Sequence, residues 1–351
     1  MVTSLRDICA NFPIVGEVKW VEVYGSGHIN DTYRIRTVER EFILQKINSR
    51  VFRNIEGLTS NFQKVSAFIT NKIRETDSTM QLPELYPAQS GEFVFQEQPD
   101  AYWRLMNFIP GSHSYDRVKS ADLAREGGRA YGCFVRMLAD FPAEELVETI
   151  PRFHDIDFRL QNYDAALERD IAGRKKELSA EIDLVVRYAP MMRYIKKLGE
   201  EGEIPLRVTH NDTKINNVLF DSQGKAVAIV DLDTVMPGYV HYDFGDAIRT
   251  FTNSALEDEA DLQKVQFRKD YYDAFHEGFL SQTDAILNAT EKQYLPHSAL
   301  LMTFIIGLRF LTDYLEGDTY YRTAYEQHNL VRARNQFHLL NQMEKELLLR
   351  Y

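Results

Sequence analysis

The sequence predicts an α+β chain of two lobes. A small lobe over residues 1–110 carries a five-stranded antiparallel sheet, and a larger, mainly helical lobe spans 111–351. Three observations predict this division. β-branched and aromatic residues gather in short runs before residue 110, Pro110-Gly111 stops an apolar run, and beyond it apolar residues recur at helical spacing.

The five expected strands are Val18 to Tyr24, Thr32 to Arg36, Glu41 to Ile47, Gly91 to Gln96 and Ala101 to Ile109. The first turn, Gly25-Ser26-Gly27-His28-Ile29-Asn30, has two glycines that let the backbone approach a ligand closely. Its N–H groups suit phosphate oxygens, which makes Gly25 and Gly27 candidate nucleotide contacts; the same residues also suit a plain hairpin turn. On the third strand, period-2 alternation sends Gln45 and Lys46 to opposite faces, so one of them points into a cleft. Phe42 and Leu44 share a face with Lys46, Ile43 and Ile47 share the other with Gln45, and pattern alone leaves both as candidates.

Asn54 can cap a helix reaching about Lys72, with Ile55, Leu58, Phe62, Val65 and Ile69 on one face. Glu56 suits either a partner for a phosphate-binding side chain or a solvated first-turn acid. The run Met106 to Gly111 reads as a hinge or a linker; as a hinge, the backbone groups of Asn107 and Ile109 suit the edge of adenine. Ser120 caps a further helix ended by Phe141-Pro142, and two more helices are expected over 158–179 and 181–199.

The chemistry lies between Thr209 and Asp233. His210, Asp212 and Asn217 stand as H-x-D-x-x-x-x-N, the spacing at which a carboxylate orients an attacking hydroxyl and an amide oxygen five residues later meets Mg²⁺. Val218 to Asp221, a turn at Ser222-Gln223-Gly224, and Ala226 to Val230 read as a β-hairpin that returns Asp231 beside the loop as a second metal ligand. These parts predict phosphoryl transfer from ATP in a protein-kinase-like fold. His154 reads as a structural histidine in a turn, and Asp243 as a brace and helix cap. Asp246 and Arg249 suit a surface ion pair or an acceptor pocket, and Arg309, directly after an apolar run, needs acceptors from a carboxylate or a substrate.

Composition is that of a globular chain, 44% hydrophobic and 26% charged. A net charge of −11 argues against a nucleic-acid or anionic-membrane surface. Cys9 and Cys133 have no metal-ligand spacing and fit reduced thiols in the cytosol. The N-terminus lacks the apolar core of a signal peptide, and the apolar stretch Ala299 to Leu308 is too short to cross a bilayer. A cytoplasmic enzyme with no membrane or nucleic-acid partner is expected.

The hinge LMNFIPG, the loop THNDTKINN and the following IVDLD resemble the aminoglycoside phosphotransferase and choline kinase superfamily. More narrowly, YGSGHINDTY, FILQKIN, IVDLDTVMPG and LRFLTDYLEGD are similar to N-acetylhexosamine 1-kinases, which phosphorylate the anomeric hydroxyl of GlcNAc or GalNAc. The resemblance implies Asp212 as catalytic base, Asn217 and Asp231 as metal ligands, and His28 and Arg309 as sugar contacts; Asp233 is assigned with them to the substrate. One departure is Gln45, where the superfamily often has a basic residue. Lys46 substitutes, or Lys214 neutralises the γ-phosphate as part of the catalytic set. The rival readings are a kinase of another small alcohol, such as choline, an aminoglycoside or another sugar, and a nucleotide-binding pseudokinase.

Overall fold

The computed structural model describes residues 4–25, 29–75 and 80–347. The small lobe opens with the short helix α1 (Leu5–Cys9), closed by a reciprocal box between Ser4 and Asp7. Its strands are β1 (Val18–Val23), β2 (Asp31–Thr37), β3 (Glu41–Asn48), β4 (Leu85–Tyr86), β5 (Phe95–Gln98) and β6 (Ala101–Asn107). Order along the sheet is β1-β2-β3-β6-β4, with β5 also paired to β6, and the pairings are antiparallel.

Among the described residues the sheet therefore has six strands where five were expected. The addition, β4, is two residues long, too short for side-chain alternation to register. The expected strand from Gly91 to Gln96 begins only at Phe95. Gly91 sits at φ +89° in a turn closed by hydrogen bonds between Ala88 and residues 91 and 92, which takes the preceding backbone out of the sheet.

The two faces of β3 are buried against different partners. Phe42 and Leu44 join Ile35, Trp103 and Leu105 in a small core beneath Ile8, Cys9 and Phe12. On the other face, Ile43 and Met106 meet helix α2 (Ile55–Arg74) and one continuous core that runs into the helical lobe through Phe62, Val65 and Ile69. Asn54 caps α2 by accepting the Gly57 N–H at 2.8 Å. Buried Asn61 fastens α2 further, donating to the carbonyls of Val147 (2.8 Å) and Val235 (2.9 Å).

The larger lobe contains α3 (Ala121–Met137), α4 (Ile156–Arg169), α5 (Ser179–Met192), α6 (Tyr194–Glu200), α7 (Val240–Phe251), α8 (Lys269–Thr283), α9 (Ala289–Leu315) and α10 (His328–Leu347). Ser120 caps α3 by accepting from Leu123. The helix expected over 158–179 ends at α4, because Asp170 adopts a left-handed conformation at φ 40°, and the one expected over 181–199 is divided into α5 and α6. Helix α9 runs well past the apolar stretch Ala299 to Leu308. By length and composition it is apolar enough to cross a membrane, but 83% of its most apolar window is buried in this lobe.

Two small ribbons interrupt the helices. Strands β7 (Arg207–Thr209) and β10 (Met236–Gly238) pair with each other, and β8 (Val218–Phe220) pairs with β9 (Ala226–Ile229) in the expected hairpin. Asp221 shapes its turn by accepting the N–H groups of Gln223 and Lys225, with Gly224 at φ +77°.

Candidate active site

The loop between β7 and β8 is fixed from below by one carboxylate. Buried Asp243, on α7, accepts the backbone N–H of His210 at 2.8 Å and of Asn211 at 2.7 Å, while its carbonyl accepts the Thr213 hydroxyl at 2.6 Å. This is the expected brace; the expected cap is absent, since the N-cap residue of α7 is Tyr239, which makes no side-chain capping bond, and Asp243 lies inside the helix. Burial pushes the Asp243 carboxyl up to about 7 against these two donors.

Two histidines hold the loop laterally. Each ring faces a carbonyl, which only accepts, so in each Nε2 carries the hydrogen. His210 Nε2 lies 3.1 Å from the Val230 carbonyl, joining the loop to the hairpin, and His154 Nε2 lies 3.0 Å from the Asn211 carbonyl. Burial, then the Arg309 charge, lowers His154 to about 3, so it is a neutral structural donor as expected. Asn211 stands at φ 63° and donates to the carbonyls of Thr209, the last residue of β7, and Thr234, two residues before β10.

With the loop held, Asp212 projects into the cleft, 24% exposed. Lys214 Nζ lies 2.9 Å from its Oδ2, and Asn217 Nδ2 donates to the same oxygen at 3.1 Å. Burial pushes this carboxyl up, but Lys214 and Asn217 together bring it below the usual carboxylate range. Because both donors use Oδ2, Oδ1 stays open toward the cleft. The Asn217 amide nitrogen is occupied, which turns its own oxygen outward.

Asp231 follows β9 in a left-handed conformation, φ 64° and ψ 62°, and is exposed in the cleft. The protein mass around it, then the carboxylates of Asp233 and Asp212, push it above the ordinary range. Like charges gathered this way favour a cation. Among the described residues no three His, Cys, Asp or Glu side chains form a closed metal cage. One carboxylate and one amide oxygen beside open space fit Mg²⁺, which keeps water and phosphate ligands.

Asp233 is placed differently from its expected substrate role. Both its oxygens are engaged by the small lobe, Oδ1 by Arg104 at 2.5 Å and Oδ2 by Asn30 Nδ2 at 2.6 Å. The structure also decides between Gln45 and Lys46. Gln45 faces Arg104 in the cleft, whereas Lys46 shares the outer face with Phe42 and Leu44 and lies 5.7 Å from the Trp103 ring. The candidate role of Lys46 at the phosphates is thus corrected: strand alternation directs it away.

At the hinge, Asn107 pairs with Glu84 through its backbone N–H and its side chain, and the Ile109 carbonyl accepts the Ser112 hydroxyl at 2.7 Å. The Ile109 N–H has no partner among the described residues, as an adenine contact requires. Gly25 sits in its turn at φ +79°. Gly27 and His28 lie outside the described residues.

Beyond Asp212 the wall is aromatic and cationic. The Arg309 guanidinium lies 4.9 Å from the Phe153 ring centroid, 5.6 Å from Tyr321 and 5.8 Å from Tyr320. Arg159 donates to the Phe153 carbonyl at 2.5 and 3.0 Å, and burial followed by the Arg309 charge lowers it to about 10. Neither arginine pairs with a carboxylate among the described residues. Asp246 and Arg249 are a buried pair at 2.8 Å, not a surface one, and Asp246 Oδ2 is left without a partner.

Residues 20–277, more than half of the chain, match the model of the phosphotransferase enzyme family. The chain belongs to that family. This phosphotransferase is similar to a choline kinase from Cryptosporidium parvum Iowa II, with a TM-score of 0.61 at 15% identity over 98% of this chain and 95% of that one. A microcompartment-associated aminopropanol kinase gives 0.60 at 16% identity, covering 98% and 96%. Spectinomycin phosphotransferase in complex with ADP and its antibiotic gives 0.56 at 12% identity, covering 95% and 94%. At such identities the likeness is one of fold, and it bears out the two-lobed protein-kinase-like architecture.

Sequence reasoning missed Arg104 and Arg159. Arg104 carried a signal, a charge inside the apolar strand Trp103-Arg104-Leu105-Met106. Arg159 carried none, since an arginine in an amphipathic helix reads as solvated.

Proposed function

We propose that this phosphotransferase is an ATP- and Mg²⁺-dependent kinase that phosphorylates the anomeric hydroxyl of an N-acetylhexosamine such as GlcNAc or GalNAc. The arginine pair carries this reading. Arg309 stacks on Phe153, the neighbour of the histidine that holds the Asn211 carbonyl, so the wall adjoins Asp212. Two guanidinium groups without carboxylate partners repel an ammonium group. They suit a neutral ring whose hydroxyl and acetamido oxygens accept hydrogen bonds and whose C–H face packs on aromatic rings.

In the transfer step, Oδ1 of ionised Asp212 takes the hydrogen of the acceptor hydroxyl as its oxygen forms a bond to the γ-phosphorus. The bond to the β–γ bridging oxygen breaks and ADP leaves. Asn217 and Asp231 would hold Mg²⁺, which would neutralise charge developing on the phosphates. Lys214, 2.9 Å from Asp212, keeps the base ionised.

One observation favours a cationic acceptor instead: the unpaired Oδ2 of buried Asp246, which would suit an amino alcohol. ADP release measured across GlcNAc, GalNAc, glucose, choline, ethanolamine and an aminoglycoside separates the two. The expected result is a kcat/KM for the N-acetylhexosamines at least about 100-fold above the cationic acceptors. Best turnover with a cationic amino alcohol would contradict it.

A further inference from the structure

Position 45 of β3 faces the cleft but carries an uncharged glutamine, and the residue directly opposite it on β6 is Arg104. Gln45 Oε1 accepts from both Nε (3.0 Å) and Nη2 (2.7 Å) of Arg104, while its amide nitrogen donates to Thr32 at 2.9 Å. This arrangement fixes both the glutamine amide and the plane of the guanidinium. The Nη1 group then crosses the cleft to Asp233, two residues after Asp231.

A guanidinium has five N–H groups, and these contacts use three. The remaining two have no acceptor among the described residues, although the Arg104 side chain is only 2% exposed. Buried donors of a charged group require acceptors. Phosphate oxygens match the planar fork, and the open space beside Asp231 and Asn217 is where polyphosphate would meet the metal.

We infer that Arg104 is the small-lobe residue that binds the polyphosphate of the nucleotide, clamped in register by Gln45 and anchored by Asp233. The inference rests on the reading of ATP as phosphoryl donor.

The test compares binding of a non-hydrolysable ATP analogue with Mg²⁺, and of adenosine, to the full chain by calorimetry. In Arg104→Met the analogue is expected to bind roughly 10- to 100-fold more weakly, with adenosine unchanged. Gln45→Leu keeps the Arg104–Asp233 ion pair while releasing the clamp, which provides a folded comparison if Arg104→Met is unstable; a smaller loss, again confined to the analogue, is expected. The exchange Gln45→Arg with Arg104→Gln, which keeps the pair across the ladder, is expected to recover part of the affinity. Equal weakening of adenosine and analogue, or no weakening of either, in a folded variant would overturn the assignment of Arg104. Failure of the wild-type chain to bind the analogue at all would overturn the ATP reading, and the assignment with it.

Discussion

Asn217 donates its amide N–H to Oδ2 of Asp212 at 3.1 Å, the same oxygen that Lys214 approaches at 2.9 Å. In the proposed reaction the pairing leaves Oδ1 for the acceptor and the Asn217 oxygen for a metal. Asp212→Asn removes the acceptor of the hydroxyl hydrogen but preserves shape. Its kcat is expected to fall by about 10²- to 10⁴-fold with nucleotide affinity nearly unchanged, read by steady-state kinetics and calorimetry. A kcat near wild type would remove the base assignment.

Among the described residues Asp243 is the single acceptor for two buried backbone N–H groups, at His210 and Asn211. Asp243→Ala leaves both unsatisfied, and each such group costs about 1–3 kcal/mol. Thermal unfolding of the variant is expected at a clearly lower temperature, with loss of activity before global unfolding because the loop that carries Asp212 is released first. An unchanged melting temperature would show that the loop does not depend on this carboxylate.

Burial and Arg309 hold His154 neutral in the fold, at about 3 against about 6.5 for an unfolded histidine. Between these values the unfolded chain binds the extra proton, so the stability contribution is complete above about pH 6.5 and is lost as pH falls toward 3. Asp243, raised to about 7, acts in the opposite sense, so the comparison must be between chains. The stability difference between wild type and His154→Gln is expected to be flat above pH 6.5 and to shift against wild type by about 1.4 kcal/mol per unit below it. A constant difference from pH 8 to 5 would contradict this, with chemical denaturation as the readout.

Much of the geometry of the loop from His210 to Asn217 was legible because its spacing is local. H-x-D-x-x-x-x-N, the hairpin and the Asn54 cap each lie within a few residues, where sequence reports geometry directly. The register of β3 was not legible, because the strand is buried on both faces and alternation between apolar residues does not distinguish outside from cleft. Arg104 and Asp233 are 129 residues apart in sequence, and Arg159 and Arg309 meet only through the fold of the Phe153 turn. Such pairings are products of tertiary packing.

Arg309 and Arg159 are like charges in a half-buried wall: burial and then the Arg309 charge lower Arg159, whereas Arg309 itself is raised, its burial being outweighed by Tyr321 and Tyr320. Arg309→Met is expected to raise KM for the sugar by about 10- to 100-fold with little change in melting temperature, since relief of the repulsion on Arg159 offsets the lost ring contacts. A large fall in melting temperature with unaltered KM would make Arg309 a packing residue.

The acceptor chemistry is tested most directly by ³¹P NMR of the product formed from GlcNAc, ATP and Mg²⁺. The account predicts a single sugar phosphate whose phosphorus couples to the anomeric proton. A phosphate on any other hydroxyl, or turnover confined to cationic alcohols, would contradict the proposed reaction while leaving the chain a phosphotransferase.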